Sequence, residues 1–372
     1  MSRTSRKAGL TLDFGGSGTK GAAHHKDTKC VLYMEPQVIE VPSSSLQEKT
    51  QKNLNNTHPE NLAWVGVGED YRAVGYLAQL FLASPSLRPR KYELAVYKTL
   101  AAAWVMQQKL HLPDKFDLSL MLLLPPGEFE DAALLKSMLK DALASFSTPT
   151  GTMNVNLVRY ECFPEGSGIY MMYRQKRPEL LKRWNVGIVQ IGYRNASVLL
   201  SSRGVLDKGK TTNLGMARMI ELVLERTSGL NSVALLNAIA IAGNNPQPQH
   251  FVNLVSICDR EQQLVQVQKI IAAVKEARTE YAIALMSWLK EMLPPFGELS
   301  GIIVGGGTAD YLRDELMQAV KTTTVVWHGE VKIPPEFDSF GLGSRLADVW
   351  ALSEYHAACL KERIKKEVAT GG

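Results

Sequence analysis

The stretch "LTLDFGGSGTKGAA", residues 10–23, decides how the rest of the chain is read. It starts as a strand and then places four glycines in seven positions, with Asp13 before them and Lys20 among them. Glycine removes the Cβ that would keep a ligand away from the backbone. The N–H groups of Gly15, Gly16, Ser17 and Gly18 can therefore converge on phosphate oxygens. Lys20 adds a point charge to the same group, and Asp13 can hold a metal ion through its water shell. The stretch matches neither GxxxxGK[ST] nor GxGxxG, and no helix follows it directly. Taken alone, it reads equally well as a hairpin turn with incidental charges.

Working outward, residues 21–25 and 30–34 read as two further strands, making an antiparallel meander around the glycine turn. Residues 37–41 add a short strand. The polar, aperiodic run "PSSSLQEKTQKNLNNTHPEN" reads as a long surface loop. In "YRAVGYLAQLFL" a strand runs into a short helix. Leu94, Tyr97, Leu100, Ala101 and Trp104 recur at helical spacing over residues 91–110. "FDLSLMLLLPP" is a buried strand. "GEFEDAALLKSMLKDALASF" is a helix with acidic residues in its first turn, where they suit the dipole. "TMNVNLVRYECFPEG" alternates as a strand ending at Pro164, with a helix over residues 168–174.

At Val186 the pattern restarts. "VGIVQIG" and "NASVLLSSRG" are strands joined by a short polar turn, a second meander laid out like the first. A helix capped by Asn213 and closed by Gly229 follows, then a long helix over residues 261–288. "SGIIVGGGTADYLRDELMQAV" is a buried strand, a triple glycine and a helix, a position that favours anions and close ligand approach. The chain ends in a helix over residues 347–368. Two meander-plus-helix halves imply a duplicated α/β architecture with a cleft between lobes.

Composition narrows the function. The 372 residues carry 42 Lys and Arg against 37 Asp and Glu, a net charge of +5, with 45% hydrophobic residues. That is an ordinary globular balance, long enough for two or three core-bearing lobes. No apolar run reaches the roughly 18 residues of a membrane span, and the N-terminus does not have the form of a signal peptide; a cytoplasmic location is the default expectation. Cys30, Cys162, Cys258 and Cys359 stand far apart and form no CxxC pair, which argues against a zinc site or a disulfide framework. Basic clusters at Arg3, Arg6 and Lys7, in "SLRPRKYE", and at Lys361, Arg363, Lys365 and Lys366 read as solvated surface. Without interleaved aromatics they make no direct nucleic-acid site.

Five segments in order, "DFGGSGTK", "FPEGSGIYMMY", "IVQIGYRNAS", "IIVGGGTADYL" and "GSRLADVWALSEY", give the chain a resemblance to the actin-like ATPase superfamily. Within it the chain is most similar to bacterial plasmid-partition actins of the ParM/StbA type. The segments correspond to a first phosphate loop, a connecting helix, a second phosphate loop, an adenosine-binding glycine turn and a C-terminal connecting helix. The resemblance implies an actin-like, ribonuclease-H-like duplicated fold with two lobes around a nucleotide cleft. Residues 1–180 would form lobe I, with a small subdomain at about 38–75. Residues 181–345 would form lobe II, with a helical subdomain at about 213–292, and residues 346–372 a helix returning to lobe I.

By that resemblance the cofactors are ATP (or GTP) and Mg2+. Asp13 matches the acidic residue near the metal and Lys20 the lysine reaching the phosphates. Gly15, Gly16, Ser17 and Gly18 would wrap the β- and γ-phosphates. Glu165 falls where the family keeps a Gln or Glu that positions the attacking water. Gly305, Gly306 and Gly307 would lie under the adenine and α-phosphate, and Arg218 or Glu221 would touch the ribose. The second phosphate loop, with Gly192, departs from the family. An acid is replaced by Gln190, and a second glycine by Tyr193 or Arg194. Gln190 can bond the attacking or a metal-bound water but brings no negative charge, and Arg194 can replace lost phosphate contacts by direct charge.

The resemblance implies a filament-forming protein that binds and hydrolyses nucleotide, polymerises head to tail, and acts in plasmid segregation with a small DNA-binding adaptor or as a bacterial cytoskeletal element. The loop over residues 43–60 would lie in the projecting subdomain that touches the next subunit. Two alternatives remain. Gln190 leaves room for a non-hydrolysing nucleotide-binding scaffold. "DFGGSGTKG" also resembles the opening of a sugar kinase, although no substrate-side aspartate stands out.

Overall fold

The computed structural model describes residues 7–52, 58–84 and 91–370. They divide into two units, Met1–Glu179 with His328–Gly372, and Leu180–Trp327. Arg3 and Arg6, residues 86–90 of "SLRPRKYE", and residues 53–57 lie outside the described residues.

Unit 1 opens with the hairpin β1 (Lys7–Gly15) and β2 (Gly18–His25), extended by β3 (Thr28–Met34) and β4 (Val38–Glu40). Then come α1 (Ser43–Lys52), β5 (Trp64–Val67), β6 (Asp70–Val74), α2 (Tyr76–Leu80) and α3 (Lys91–Lys109). The chain continues through β7 (Lys115–Leu124), α4 (Ala132–Ala144), β8 (Phe146–Thr148), β9 (Gly151–Pro164) and α5 (Ser167–Lys176), and the short α6 (Pro178–Leu181) spans the boundary to unit 2.

Unit 2 holds β10 (Asn185–Ile191), β11 (Ala196–Ser202), β12 (Val205–Leu206), β13 (Lys210–Thr212) and helices α7 (Met216–Arg226), α8 (Ser232–Ala242), α9 (Pro248–Phe251) and α10 (Arg260–Met292). It ends with β14 (Gly301–Gly305), α11 (Gly307–Tyr311), α12 (Arg313–Ala319) and β15 (Val325–Trp327), after which α13 (Ala347–Thr370) belongs to unit 1 again.

The sheet of unit 1 has the order β3-β2-β1-β7-β9-β8-β5-β6-β4, and that of unit 2 β12-β11-β10-β14-β15 with β13 on β11. The two share one local plan. β1 pairs antiparallel with β2 and parallel with β7; β10 pairs antiparallel with β11 and parallel with β14. This is the duplicated α/β architecture expected from the two meanders.

β7 shows how a nearly continuous apolar run serves a sheet covered on both faces. Leu118, Leu120, Leu122 and Leu124 enter the core that contains Leu100, Trp104 and Val105 of α3 and Leu135 and Leu139 of α4. Met121 and Leu123, on the opposite face by the period of two, meet Val349, Trp350 and Leu352 of α13. In unit 2, Val189 and Ile191 of β10 and Ile302 and Val304 of β14 share a core with Met219, Ile220 and Val223 of α7 and Val274, Tyr281 and Leu285 of α10.

Three readings change. The run taken as a loop over residues 43–60 contains the helix α1, which carries one large apolar residue, Leu46, and so shows no apolar stripe. Leu46 is fully buried with Val41, Trp64, Leu77 and Ala78. Thr50 Oγ1 donates to the Leu46 carbonyl at 2.8 Å and accepts from Trp64 Nε1 at 3.1 Å. The acidic residues of "GEFED" sit in a separate 3-10 turn, Pro126–Asp131, and the first turn of α4 has none. Helix α7 is preceded by Gly215 rather than capped by Asn213, and ends at Arg226 with Thr227 as its C-cap rather than being closed by Gly229.

Burial pushes the Cys30 thiol up to about 11 and the Cys162 thiol up to about 12, consistent with packing roles. Cys359 is half-buried and Cys258 exposed, all four being free thiols. Among the described residues no helix is long and apolar enough to cross a membrane.

Candidate functional site

In unit 1 the parallel strands β1, β7 and β9 bring their C-terminal ends into line, the edge at which open α/β sheets take ligands. Asp13 stands beside Leu123, and Leu124 beside Pro164. The backbone N–H of Glu165 donates to the Leu124 carbonyl at 2.8 Å, so Glu165 emerges at that same edge, 8% exposed. The hairpin register puts Asp13 opposite Lys20 and Gly15 opposite Gly18, leaving Gly16 and Ser17 as its tip. Lys20 Nζ lies 2.5 Å from Asp13 Oδ2, with both side chains about a tenth exposed. The expected cation and anion are therefore partners of one another.

Asp348, at the start of α13, is a member of this cluster that motif reading did not single out. Its carboxylate accepts from the N–H of Gly166 at 2.7 Å and of Ile169 at 3.1 Å, at the N-terminus of α5. The two helices approach so closely that a Cβ on Gly168 would stand 2.1 Å from the Asp348 carbonyl oxygen. Burial pushes the Asp348 carboxyl up to about 7; the charges of Asp13 and Glu165 act in the same sense, against the two backbone N–H groups. Three carboxylates, Asp13, Glu165 and Asp348, thus share one electrostatic neighbourhood. The sequence signal for Asp348 was the acid in the first turn of the last helix, inside "GSRLADVW".

The corresponding edge of unit 2 is built from the same plan with different chemistry. Gln190 on β10 is paired with Gly305 on β14, which sets Gly305, Gly306 and Gly307 beside the β10–β11 turn. Gly306 has φ +96°, and a Cβ there would sit 2.2 Å from the Ile191 carbonyl oxygen, so only glycine fits this crossing. The turn itself is closed by the Gly192 N–H donating to the Asn195 carbonyl at 2.9 Å. Its outward carbonyls are taken up. Gly192 O accepts from Met216 N at 3.1 Å and from Thr308 Oγ1 at 2.9 Å, and Tyr193 O accepts from Ala217 N at 2.8 Å.

The first N–H groups of α7 thus fasten the hairpin. The helix after the triple glycine is only five residues long and breaks at Leu312, which weakens the anion argument based on its dipole. Tyr193 is half-buried, burial raising its hydroxyl, and Arg194 sits in the same turn. Arg218 is engaged by Glu221 at 3.1 Å and Glu225 at 3.2 Å on the exposed face of α7.

Buried polar atoms without a hydrogen-bond partner occur in both units among the described residues, including Thr19 Oγ1, Glu60 Oε2 and Thr99 Oγ1 in unit 1 and Tyr311 OH in unit 2. Gln190 Oε1 and Asn195 Oδ1 make no hydrogen bond among the described residues, and the same is true of Ser167 Oγ in unit 1. Buried polar groups normally have partners, and Gln190 and Asn195 lie at or beside the β10–β11 turn. A Mg2+ ion commonly keeps several waters and binds one or two carboxylates together with substrate phosphates. Asp13 fits that limited role. Among the described residues no group of three His, Cys, Asp or Glu side chains is placed to hold a metal ion alone.

No family model matches the sequence, and no curated protein matches it. Solved structures do. The chain is similar to the actin-like protein Alp7A, with a TM-score of 0.64 and 14% identity over 98% of this chain and 100% of that one. It is similar to the protein of a 15-stranded ParM filament from Clostridium botulinum, with a TM-score of 0.62 and 14% identity over 94% and 99%. An archaeal actin homologue, Ta0583, solved in complex with ADP, aligns with a TM-score of 0.55 and 14% identity over 92% and 97%. The fold is actin-like across nearly the whole chain.

Proposed function

On the premise of an actin-like fold, we propose that this chain is a filament-forming protein that binds ATP or GTP with Mg2+, hydrolyses it, and acts in plasmid DNA segregation or as a bacterial cytoskeletal element. The observation that carries the reading is the repeated plan. Each unit ends its parallel strands on a glycine-bearing hairpin, β1–β2 in one and β10–β11 in the other. The filament of one structural neighbour and the ADP of another support the assembly and ligand parts of the reading.

In this reading the backbone of Gly15, Gly16, Ser17 and Gly18 takes phosphate oxygens, and Gly192 and Arg194 of the second hairpin do the same. Gly305, Gly306 and Gly307 give the nucleoside close backbone approach. Asp13 would help to hold Mg2+, which would supply neutralisation of charge on the phosphates. Glu165 orients the attacking water and accepts its proton. Nucleotide favours the conformer that polymerises, and loss of the terminal phosphate weakens the filament. The partner in segregation would be a small DNA-binding adaptor.

Sedimentation and light scattering test the assembly. The protein should pellet after ATP or GTP is added with Mg2+ and remain in solution without nucleotide. A flat scattering signal across concentrations and nucleotides would sink the filament reading.

Gln190 favours a second reading, a scaffold that keeps its nucleotide intact, because an amide cannot supply the charge of the acid expected there. Phosphate release separates the two. Measurable release by the wild type, lost on Glu165→Ala, supports hydrolysis. A background-level wild type, with release gained on Gln190→Asp, supports the scaffold.

A further inference from the structure

Lys20 is the cation that the glycine hairpin brings forward, but its charge is already matched. Its ammonium stands 2.5 Å from Asp13 Oδ2, both groups being nearly buried. Such a pair is neutral in sum, and separating it leaves an uncompensated buried charge. The same ammonium also donates to the Arg345 carbonyl at 3.2 Å.

Arg345 lies in the 3-10 turn Gly343–Leu346 that leads into α13. Its guanidinium comes back to the hairpin, where Nη2 donates to Ser17 Oγ at 3.1 Å. Ser17 is the single side chain of any length among residues 15–18, at the hairpin tip. Its carbonyl accepts from Tyr33 OH at 2.9 Å, and the Tyr33 ring lies against Gly18. The tip is thus held from both sides, by a phenol on the backbone and by a guanidinium on the hydroxyl. Among the described residues no carboxylate pairs with Arg345. The hairpin tip therefore meets one uncompensated positive charge, and it belongs to Arg345.

A guanidinium has five N–H donors in a fixed fork that matches phosphate oxygens, and the bond to Ser17 and the contact with the Tyr33 phenol leave the rest of the fork for a ligand. We propose that Arg345 is a phosphate-binding residue of the unit 1 hairpin, which with Ser17 contacts the terminal phosphate of a nucleoside triphosphate, the Asp13–Lys20 pair being its neutral support. This rests on the nucleotide reading above and adds to it the residue that tells triphosphate from diphosphate. The same bonds join the hairpin to the start of α13, since Lys20 holds the backbone of the residue whose side chain holds Ser17.

The test is titration calorimetry of the full chain with Mg2+ and, separately, ATP, GTP, ADP, GDP and inorganic phosphate, for wild type, Arg345→Ala, Arg345→Lys and Ser17→Ala. A hydrogen bond to a charged group is worth about ten- to hundredfold in binding. Arg345→Ala should weaken the triphosphate by that factor and the diphosphate by less than about threefold, by the same reasoning. Arg345→Lys should recover part of the loss, because it keeps the charge without the fork. Ser17→Ala should reduce the triphosphate preference more mildly and leave the melting temperature unchanged.

An Arg345→Ala protein that keeps the wild-type ratio of triphosphate to diphosphate affinity overturns the proposal. So does one that loses both nucleotides equally with a lowered melting temperature, which is the mark of a brace. A wild type that binds inorganic phosphate as tightly as triphosphate also overturns it. A wild type that binds no nucleotide at all overturns the functional reading itself and is told apart by the absence of any heat in its own titrations.

Discussion

The hairpins β1–β2 and β10–β11 have the same topology and opposite chemistry. In unit 1 the residues that end the strands are charged: Asp13 with Lys20 across the hairpin, Glu165 after β9, and Asp348 from α13. In unit 2 the matching strand end carries Gln190, whose buried Oε1 has no partner among the described residues, and the turn is fastened by α7 and Thr308. A shared backbone plan therefore fixes where each strand end stands in its own sheet, while the side chains decide what chemistry is displayed there. The first hairpin pairs its strand-end acid with a cation, whereas the second ends its strand on a neutral amide and carries its charge, Arg194, in the turn.

The largest test of that contrast is Lys20→Ala. It leaves Asp13 buried without its cation and should cost about 3–5 kcal/mol in denaturant unfolding. Asp13→Asn in the same chain should return part of the loss. A cost below about 1 kcal/mol, the value of an exposed pair, would break the claim that unit 1 compensates charge internally.

Acid should act on unit 1. His356 of α13 is fully buried, hydrogen-bonded to Thr11 Oγ1 at 3.0 Å and Ser119 Oγ at 2.7 Å, and its ring stands edge-on to His24 at 5.0 Å. Burial holds His24 down to about 4, helped by the charges of Lys29, Lys361 and His25, and burial holds His356 well below its usual range. The unfolded chain then takes these protons first, so this contribution is complete above about pH 6.5 and lost as pH falls toward 4, by about 3 kcal/mol for His24. Asp348 has the opposite sign. Its raised folded value means that its ionisation disfavours the fold increasingly as pH rises from about 4 to 7. Asp348→Asn should therefore uncover a stability that climbs steeply between pH 4 and 6.5, where the wild type is flatter. Equal pH profiles for the two proteins would refute the assignment.

In unit 2 the sensitive point is steric. Gly306→Ala forces a side chain into a positive φ and against the Ile191 carbonyl, for a loss of about 1–3 kcal/mol read by hydrogen exchange in β10 and β14. The smallest effect is expected at Gln190. Its Oε1 makes no hydrogen bond among the described residues, so Gln190→Ala should cost less than about 1 kcal/mol in the absence of ligand. A larger loss would mean that the second hairpin depends on its polar side chain as much as the first does.

Much of the architecture was legible because it rests on local pattern. The apolar run in "FDLSLMLLLPP", the glycines of residues 15–18 and 305–307, and the restart at Val186 report backbone geometry that neighbouring residues impose on one another. Helix α1 was not legible, because a single buried leucine and a threonine bonded to Trp64 leave no stripe to read. Nor was the beginning of α7, where Gly215 fits under the β10–β11 turn, a contact with residues 21 and more positions earlier.

At the candidate site, the sequence by itself determined which residues could carry phosphate chemistry, since glycine spacing, Asp13, Lys20 and Glu165 are local signals on strand ends. Only the tertiary structure decided how their charges are shared. It paired Lys20 with Asp13, brought Asp348 in from α13, and delivered Arg345 to Ser17 across 328 positions of chain. The physical reason is that a charge acts over a few ångströms of space whatever the chain distance between its partners, and only the packing of α13 on the sheet sets those distances.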